Sequence, residues 1–341
     1  EIADRVVVMY GGKVVEENST KELFTSPSHP YVKALIACRP TFERSLGKLP
    51  TVDDFIGQSP LPTTSTEVPI SRNSNSNSQP TWLQVKNLAV HFVQAESRKI
   101  IKAVDGVDLQ IAKGKTVGLV GESGSGKTTL GRAILRLAQI NSGEILWDNK
   151  DIAQINVSEL LSFRKKMQII FQDPYASLNP RLTMEQTLTE PMKVHGIGAN
   201  HAERSHLAIE LLEEVGLESN HLKRYPHEFS GGQRQRICVA RALSTEPEFV
   251  VCDECVSAMD VSVQAQVLNL LHELQISRNL TYLFISHDLC VVRHMADDIA
   301  VMRSGKIEEF GKVDEICLHP KTSYTQELMD SIPRTSKSGI F

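Results

Sequence analysis

The sequence predicts an α/β fold in which a buried parallel sheet is interleaved with helices, and three observations carry that prediction. Short, β-rich apolar runs alternate with longer stretches of helical periodicity from residue 116 onward. A glycine-rich loop, GESGSGKT at 121–128, joins one such run to a helical pattern. Finally, residues 2–40 match residues 295–333 at a constant offset of 293 without a gap, so the strand-turn-helix pattern at one end occurs again at the other.

Taken in order, the chain opens on the first copy of that repeat. The match pairs Ala3 and Asp4 with Ala296 and Asp297, Val8 and Met9 with Val301 and Met302, and Gly12 and Lys13 with Gly305 and Lys306. Pro27, Tyr31 and Pro40 likewise pair with Pro320, Tyr324 and Pro333. A register held over such a length reads as a duplication. Residues 1–57 are therefore expected to be the C-terminal remnant of a first domain, 58–80 a linker, 81–333 a complete second domain, and 334–341 a tail. The first residue is Glu1 rather than Met, so the sequence is expected to be a fragment. Of the 23 linker residues, 18 are Ser, Thr, Asn, Gln or Pro, too polar a stretch to bury itself. As a flexible coil it would span ~25 Å.

Beyond the linker, 83–92 and 103–111 alternate as strands of an antiparallel layer, and 116–121 reads as a buried strand. The runs at 167–171, 249–252 and 282–286 supply further strands, and helical patterns fall at 201–215, 233–243 and 263–274. The stretch from about 176 to 230 interrupts the alternation and is expected to form an inserted helical subdomain.

Composition narrows the function classes. At 341 residues, 41% hydrophobic and 23% charged, the chain has material for one large domain or two ordinary ones. Lys and Arg number 37 against 41 Asp and Glu, a formal charge of -4, which argues against a surface built to neutralise nucleic-acid phosphates. No apolar run approaches the roughly 20 residues of a membrane span, and the N-terminus lacks the basic and apolar regions of a signal peptide. The chain is expected to be soluble and unsecreted. Its six cysteines, at 38, 238, 252, 255, 290 and 317, are scattered through apolar contexts, as suits reduced thiols.

The chemistry concentrates after the strand at 116–121. Gly121, Gly124 and Gly126 permit positive φ and bring the backbone close, so that successive N–H groups and a helix N-terminus face a polyphosphate. Glu122, Ser123, Ser125 and Thr129 complete the loop. Lys127 would bridge the β- and γ-phosphates, and the Thr128 hydroxyl would ligate magnesium. Such a loop establishes only nucleotide binding, since kinases, GTPases and many ATPases share it. The strand at 249–252 runs into Asp253 and Glu254: the first is placed to hold the magnesium shell, the second to polarise a water for attack on the γ-phosphate. Two acids at a strand end are as often a solvated loop start, and the order and spacing here favour the catalytic alternative. Between these motifs, Ser230, Gly231 and Gly232 precede a helix and form a second anion-binding N-terminus.

Two phosphate cradles on one chain are a feature of the ABC ATPase family, and the motifs resemble that family in order. FSGGQ at 229–233, ending at Gln233, resembles the signature that closes over ATP held by a partner domain. Gln172 in QIIFQDPYASLNP resembles the Q-loop glutamine, residues 257–260 ending at Asp260 the D-loop, and His287 in FISHD the switch histidine. Phe92 resembles the aromatic that stacks on adenine, although it would equally fit the core. The resemblance implies an ABC-type nucleotide-binding domain with a RecA-like parallel core, antiparallel β layer and helical subdomain. It implies ATP and Mg2+ as cofactors, Glu254, His287 and Gln172 as catalytic residues, Thr128, Gln172 and Asp253 around the metal, and a head-to-tail dimer that closes on ATP.

Within the family, GESGSGKTTLGRAILRL, FQDPYASLNPR, RYPHEFSGGQRQRICVARAL and SPSHPY resemble the oligopeptide/dipeptide importer branch, and the tandem arrangement is similar to ATPase subunits of glutathione and other peptide importers. This implies integral membrane permease subunits as partners, a second ABC ATPase domain (a restored first domain or a second copy), and, indirectly, a substrate-binding protein. It also implies a peripheral place on the cytoplasmic face of the inner membrane, and no nucleic acid. The alternative is a soluble tandem ABC ATPase acting on ribosomes or nucleic acid, against which the neutral linker and short helical insertion speak. Two positions depart from the pattern: Cys255 stands where Pro or Ala is common, and Met259 where Leu is usual. Cys252 and Cys255 spell C-x-x-C around the two acids, without a second pair for a metal. A low-pKa thiol at 255 would make the site oxidation-sensitive.

Overall fold

A computed structural model describes residues 3–42, 47–56, 81–94 and 99–332. The expected linker at 58–80 and tail at 334–341 lie outside the described residues.

The N-terminal segment forms a hairpin of β1 (Arg5–Tyr10) and β2 (Lys13–Ser19) followed by helices α1 (Thr20–Thr25), α2 (Pro30–Cys38) and α3 (Val52–Ile56). An antiparallel layer is then built by β3 (Thr81–Val93) and β4 (Ile100–Ala112), completed by β6 (Ser142–Trp147) and β7 (Lys150–Asp151) in the order β4-β3-β6-β7. Between β4 and β6 run β5 (Thr116–Val120) and α4 (Lys127–Ile134). After β7 come α5 (Val157–Lys166), β8 (Met167–Ile170) and the helices α6 (Pro174–Ser177), α7 (Met184–Val194), α8 (His201–Glu214) and α9 (Gly231–Leu243). The remainder is β9 (Phe249–Asp253), α10 (Val261–Arg278), β10 (Thr281–Ile285), α11 (Leu289–Met295), β11 (Asp298–Arg303), β12 (Lys306–Lys312), α12 (Val313–Leu318) and α13 (Ser323–Asp330).

The central sheet has the order β12-β11-β5-β10-β9-β8, parallel throughout except for the edge strand β12. Its inner strands β5, β9 and β10 are buried on both faces, which is why they read as unbroken apolar runs. Side chains alternate between two cores: Val117, Leu119, Phe249, Val251, Leu283 and Ile285 pack with α4 and the antiparallel layer, whereas Val250, Cys252, Tyr282 and Phe284 pack with the helices on the far side. The expected strands at 83–92 and 103–111 begin two and three residues earlier and each end one residue later, their pairing interrupted by several register shifts. The helix expected at 233–243 starts two residues earlier, because Ser230 and Gln233 form a reciprocal capping box. The helical insertion between β8 and β9 begins at Pro174 and runs through α8 and two short 3-10 turns.

The offset of 293 recurs in three dimensions. β1 and β2 correspond residue for residue to β11 and β12, with the same register and the same bulge, between Val8 and Met9 in one and Val301 and Met302 in the other. The Glu16 carboxylate accepts from the backbone N–H groups of Ser28 and His29, and Glu309 accepts from those of Lys321 and Thr322. Surroundings differ: β11 pairs with β5, whereas β1 pairs only with β2 among the described residues, leaving Val7 and Met9 exposed where Ala300 and Met302 are buried. The N-terminal segment docks instead on α10. Asn269 makes two hydrogen bonds of 2.8 Å to the backbone of Leu49, and the Arg293 guanidinium lies 4.3 Å over the Phe42 ring.

Candidate functional site

The loop 121–126 leaves the buried strand β5 and enters α4 at Lys127. Gly121, Gly124 and Gly126 have φ of +149°, +79° and +107°, as their glycine identity requires. At two of them a side chain would also collide: a Cβ on Gly121 would meet the Met302 carbonyl oxygen at 2.1 Å, and one on Gly126 the Ala103 carbonyl oxygen at 2.0 Å. Around Gly124 nothing lies within 4 Å of that position, so the loop is braced at its two ends and open at its crest. No side chain caps α4, and its first-turn N–H groups face the same opening as the loop. Glu122, Ser123 and Gly124 form the exposed rim, while Ser125 and Lys127 are buried.

Lys127 folds back on its own loop, its Nζ donating to the carbonyls of Gly121 and Glu122, each at 2.8 Å. Burial holds its pKa below the ordinary lysine value, against the opposing pull of Glu254, Asp253 and Glu122. Thr128 donates through its hydroxyl to Asp253 Oδ1 at 2.8 Å. Burial pushes the Asp253 carboxyl up, opposed by that hydrogen bond and by Arg132. A buried carboxylate beside a hydroxyl is a hard-oxygen pair that suits Mg2+, and a bound cation would offset the desolvation of Asp253. Among the described residues no cluster of three or more His, Cys, Asp or Glu is placed to hold a metal by itself. A single protein carboxylate fits a magnesium ion that completes its shell with phosphate and water.

Glu254 has a left-handed backbone, φ +49°, fixed by its N–H donating to the Ile285 carbonyl at the end of β10. Gln172 Nε2 donates to Glu254 Oε2 at 3.0 Å, and His287 Nδ1 faces the same oxygen at 3.3 Å. Thus the loop, the two acids, Gln172 and His287 are gathered at the C-terminal ends of β5, β8, β9 and β10.

The other expected residues stand elsewhere. Ser230, Gly231, Gly232 and Gln233 form the start of α9, where Gly232 abuts Val263 on α10. Asp260 caps that same helix by accepting from the Val263 N–H at 3.0 Å. A Cβ on Gly232 would meet Val263 at 2.4 Å, whereas the space above Gly231 is open. Phe92 is 47% exposed near the end of β3, on the solvent side rather than in the core; residues 95–98 just beyond it lie outside the described residues. All six cysteines are free, and Cys255 and Cys252 are buried with their side chains hydrogen-bonded to each other, which leaves the thiol at 255 shielded from oxidants.

Sequence reasoning missed the outer wall of the phosphate loop. The Gly305 N–H donates to the Ser125 carbonyl at 2.9 Å, and the Glu122 N–H donates to the Tyr324 hydroxyl at 3.2 Å. The available signal was the pairing of Tyr31 with Tyr324 across the repeat.

Comparison with known proteins gives the same placement. A family model described as ABC transporter matches residues 104–257, and one described as oligopeptide/dipeptide transporter, C-terminal region, matches both 15–64 and 309–339. The chain is 42% identical over 339 residues to the glutathione import ATP-binding protein GsiA of Salmonella typhimurium, covering 98% of this chain and 54% of that protein. It therefore spans about half the length of those relatives. It is 50% identical over 252 residues to the oligopeptide transport ATP-binding protein OppF of Bacillus subtilis, covering 74% of this chain and 82% of OppF. Among solved structures, the dimeric bacterial ABC transporter cassette MJ0796 superposes with a TM-score of 0.62 at 30% identity, over 68% of this chain and 98% of the cassette. Its post-hydrolysis state bound to ADP and Pi matches with the same TM-score.

Proposed function

The chain belongs to the ABC transporter ATP-binding family, in its oligopeptide, dipeptide and glutathione importer branch, and on that premise we propose that it binds and hydrolyses ATP to energise import of peptides. The observation that carries the reading is the convergence of Lys127, Thr128–Asp253 and the Gln172–Glu254–His287 cluster on the mouth of one phosphate loop.

In this reading the loop N–H groups and the α4 N-terminus receive the phosphates, and Lys127 exchanges the Gly121 and Glu122 carbonyls for phosphate oxygens. Thr128, Asp253 and Gln172 would hold Mg2+, which would supply charge neutralisation to the phosphates. Glu254 Oε2 is occupied by Gln172 and His287, which orients the carboxylate so that Oε1 accepts from the attacking water. Phe92 supplies an exposed ring for the adenine. Ser230, Gly231, Gly232, Gln233 and Asp260 face the ATP of a second nucleotide-binding unit, so efficient turnover needs a pair.

Residues 1–57 are read as the C-terminal part of another such unit, with 58–80 as the tether and 81–333 as a whole unit. The duplicated hairpin, its shared bulge and the uncovered faces of Val7 and Met9 support this. Among the described residues no helix is long and apolar enough to cross a membrane, so integral permease subunits would provide the channel and hold the chain on the cytoplasmic face. A substrate-binding protein would deliver the cargo.

The test is recovery of the tagged chain from gently solubilised membranes, with Lys127→Ala as control. Co-purification of an integral permease supports the transport reading. Recovery with ribosomal or DNA partners alone overturns transport and leaves the ATPase assignment standing.

A further inference from the structure

One peptide group at the start of the phosphate loop is held from both ends. Its carbonyl, on Gly121, accepts from Lys127 Nζ at 2.8 Å, and its N–H, on Glu122, donates to the Tyr324 hydroxyl at 3.2 Å. Tyr324 arrives from α13, 202 residues away in sequence, and is 3% exposed. The Arg303 guanidinium lies 4.5 Å over its ring. Two further features of the same C-terminal region brace the loop: the Met302 carbonyl fills the place a Cβ on Gly121 would take, and the Gly305 N–H donates to the Ser125 carbonyl.

The need for such a brace follows from the glycine. At φ +149° the backbone of Gly121 occupies a region that side-chain-bearing residues rarely visit, and without a Cβ little in the chain itself resists rotation of the following peptide plane. An acceptor fixed from outside the loop is what sets that plane. The repeat supports assigning the task to the hydroxyl: Tyr31 matches Tyr324, but the position of Arg303 is taken by Tyr10, whose ring lies 4.4 Å from that of Tyr31. The tyrosine is common to both copies, while the group loading its ring is not.

We infer that Tyr324 is a positioning residue of the nucleotide site, its hydroxyl fixing the 121–122 peptide so that the loop and Lys127 are preorganised for phosphate. The C-terminal region is thereby part of the nucleotide site and tunes its affinity. Removing the acceptor leaves a loop that must be reordered on binding, and the apparent affinity falls by the fraction of loops that remain competent. This inference rests on the nucleotide-binding reading given above.

The test compares wild-type full chain with Tyr324→Phe, which keeps the ring and deletes the hydroxyl, and Arg303→Ala, which unloads the ring and keeps the hydroxyl. Affinity for a fluorescent ATP analogue with Mg2+ and hydrogen exchange at the Glu122 amide without nucleotide are measured, with the melting temperature as a check on folding. The expected result for Tyr324→Phe is roughly ten-fold weaker binding and faster exchange at Glu122 at an unchanged melting temperature; for Arg303→Ala the shift is smaller and in the same direction. Wild-type affinity in both variants, or unchanged exchange at Glu122 in Tyr324→Phe, overturns the assignment. Absence of nucleotide binding by the wild-type chain instead defeats the functional reading, and the nucleotide-free exchange measurement still decides whether Tyr324 holds the loop.

Discussion

His287 and Glu254 meet 3.3 Å apart because the strands that carry them are parallel neighbours in register, with Asp253 opposite Ile285. One residue beyond β9 and two beyond β10 therefore land together. On the other side of β9, β8 delivers Gln172 two residues past its end to the same carboxylate oxygen. Three consecutive strands each contribute one side chain to a single point, which is what the C-terminal edge of a parallel sheet provides.

That convergence predicts the behaviour of Glu254→Gln. The amide keeps the shape and can still engage Gln172 and His287, but it cannot take a proton from water. Nucleotide binding is retained and turnover falls by about 10²–10⁴, the usual worth of a positioned general base. ATP hydrolysis and analogue binding measured side by side decide it, and near-normal turnover would refute the role.

The Thr128–Asp253 pair makes a different prediction. Thr128→Ala deletes the hydroxyl that donates at 2.8 Å, and Asp253→Asn removes the one buried charge beside it. Both raise the Mg2+ concentration needed for half-maximal hydrolysis, by about 10–100-fold. A titration of activity against free Mg2+ reads the shift, and chelation abolishes turnover in every variant. An unchanged midpoint in both variants would remove these residues from the metal shell.

How much of this was legible in the sequence depends on whether a residue's partner is near in the chain or made by the fold. The phosphate loop, the strand ending in Asp253 and the capping box of Ser230 with Gln233 are local patterns and stand where the spacing puts them. The hydrogen bonds that the Glu122 N–H donates to the Tyr324 hydroxyl and the Leu49 N–H donates to Asn269 join residues more than 200 apart, and no local pattern announces either. The geometry of the repeat was readable as a sequence match, but its docking on α10 was not, because an apolar helix face does not specify what covers it. The C-x-x-C at 252–255 was legible as a pattern, but the burial that encloses both thiols was not.

The two signature glycines should separate under mutation. In Gly232→Ala the new methyl would meet Val263 at 2.4 Å, so α9 and α10 must move apart, and overpacking of this kind costs about 1–3 kcal/mol. In Gly231→Ala the methyl enters open space and the helix keeps its form. Thermal melting is therefore lowered in the first variant and unchanged in the second. Gly231→Ala nonetheless loses hydrolysis, because the methyl occupies ground that a facing phosphate must approach; full activity in this variant would show that the open space serves no ligand.

Asn269→Leu tests the docking of the N-terminal segment. The side chain of Asn269 satisfies both the N–H and the C=O of Leu49, and both residues are buried. Leucine leaves two backbone groups unpaired, at a cost of about 1–3 kcal/mol each if they stay buried, so the segment 47–56 detaches. Hydrogen exchange at Leu49 rises to that of an open loop while exchange in β5 and α4 is unaffected. Coincident loosening of both regions would mean that the segment and the nucleotide-binding unit fold as one cooperative body.

The thiols give the last prediction. Burial pushes Cys38, Cys238 and Cys317 up to about 11, and Cys252 is raised as well, chiefly by its hydrogen bond to Cys255. Only the thiolate reacts with an alkylating agent, so at pH 7.5 a thiol at such a value presents roughly 300-fold less reactive form than an ordinary one near 8.5, before access is considered. Cys290 is the half-buried exception, though burial raises it too, and it is expected to label first. Mild alkylation at pH 7.5 should therefore modify about one thiol slowly and leave hydrolysis unaffected, labelling should accelerate as the pH rises, and denaturant should release all six. Rapid modification of Cys255 with parallel loss of turnover would show that the strand end carrying Asp253 and Glu254 opens readily, and that the packing beneath the two acids is looser than the buried thiols indicate.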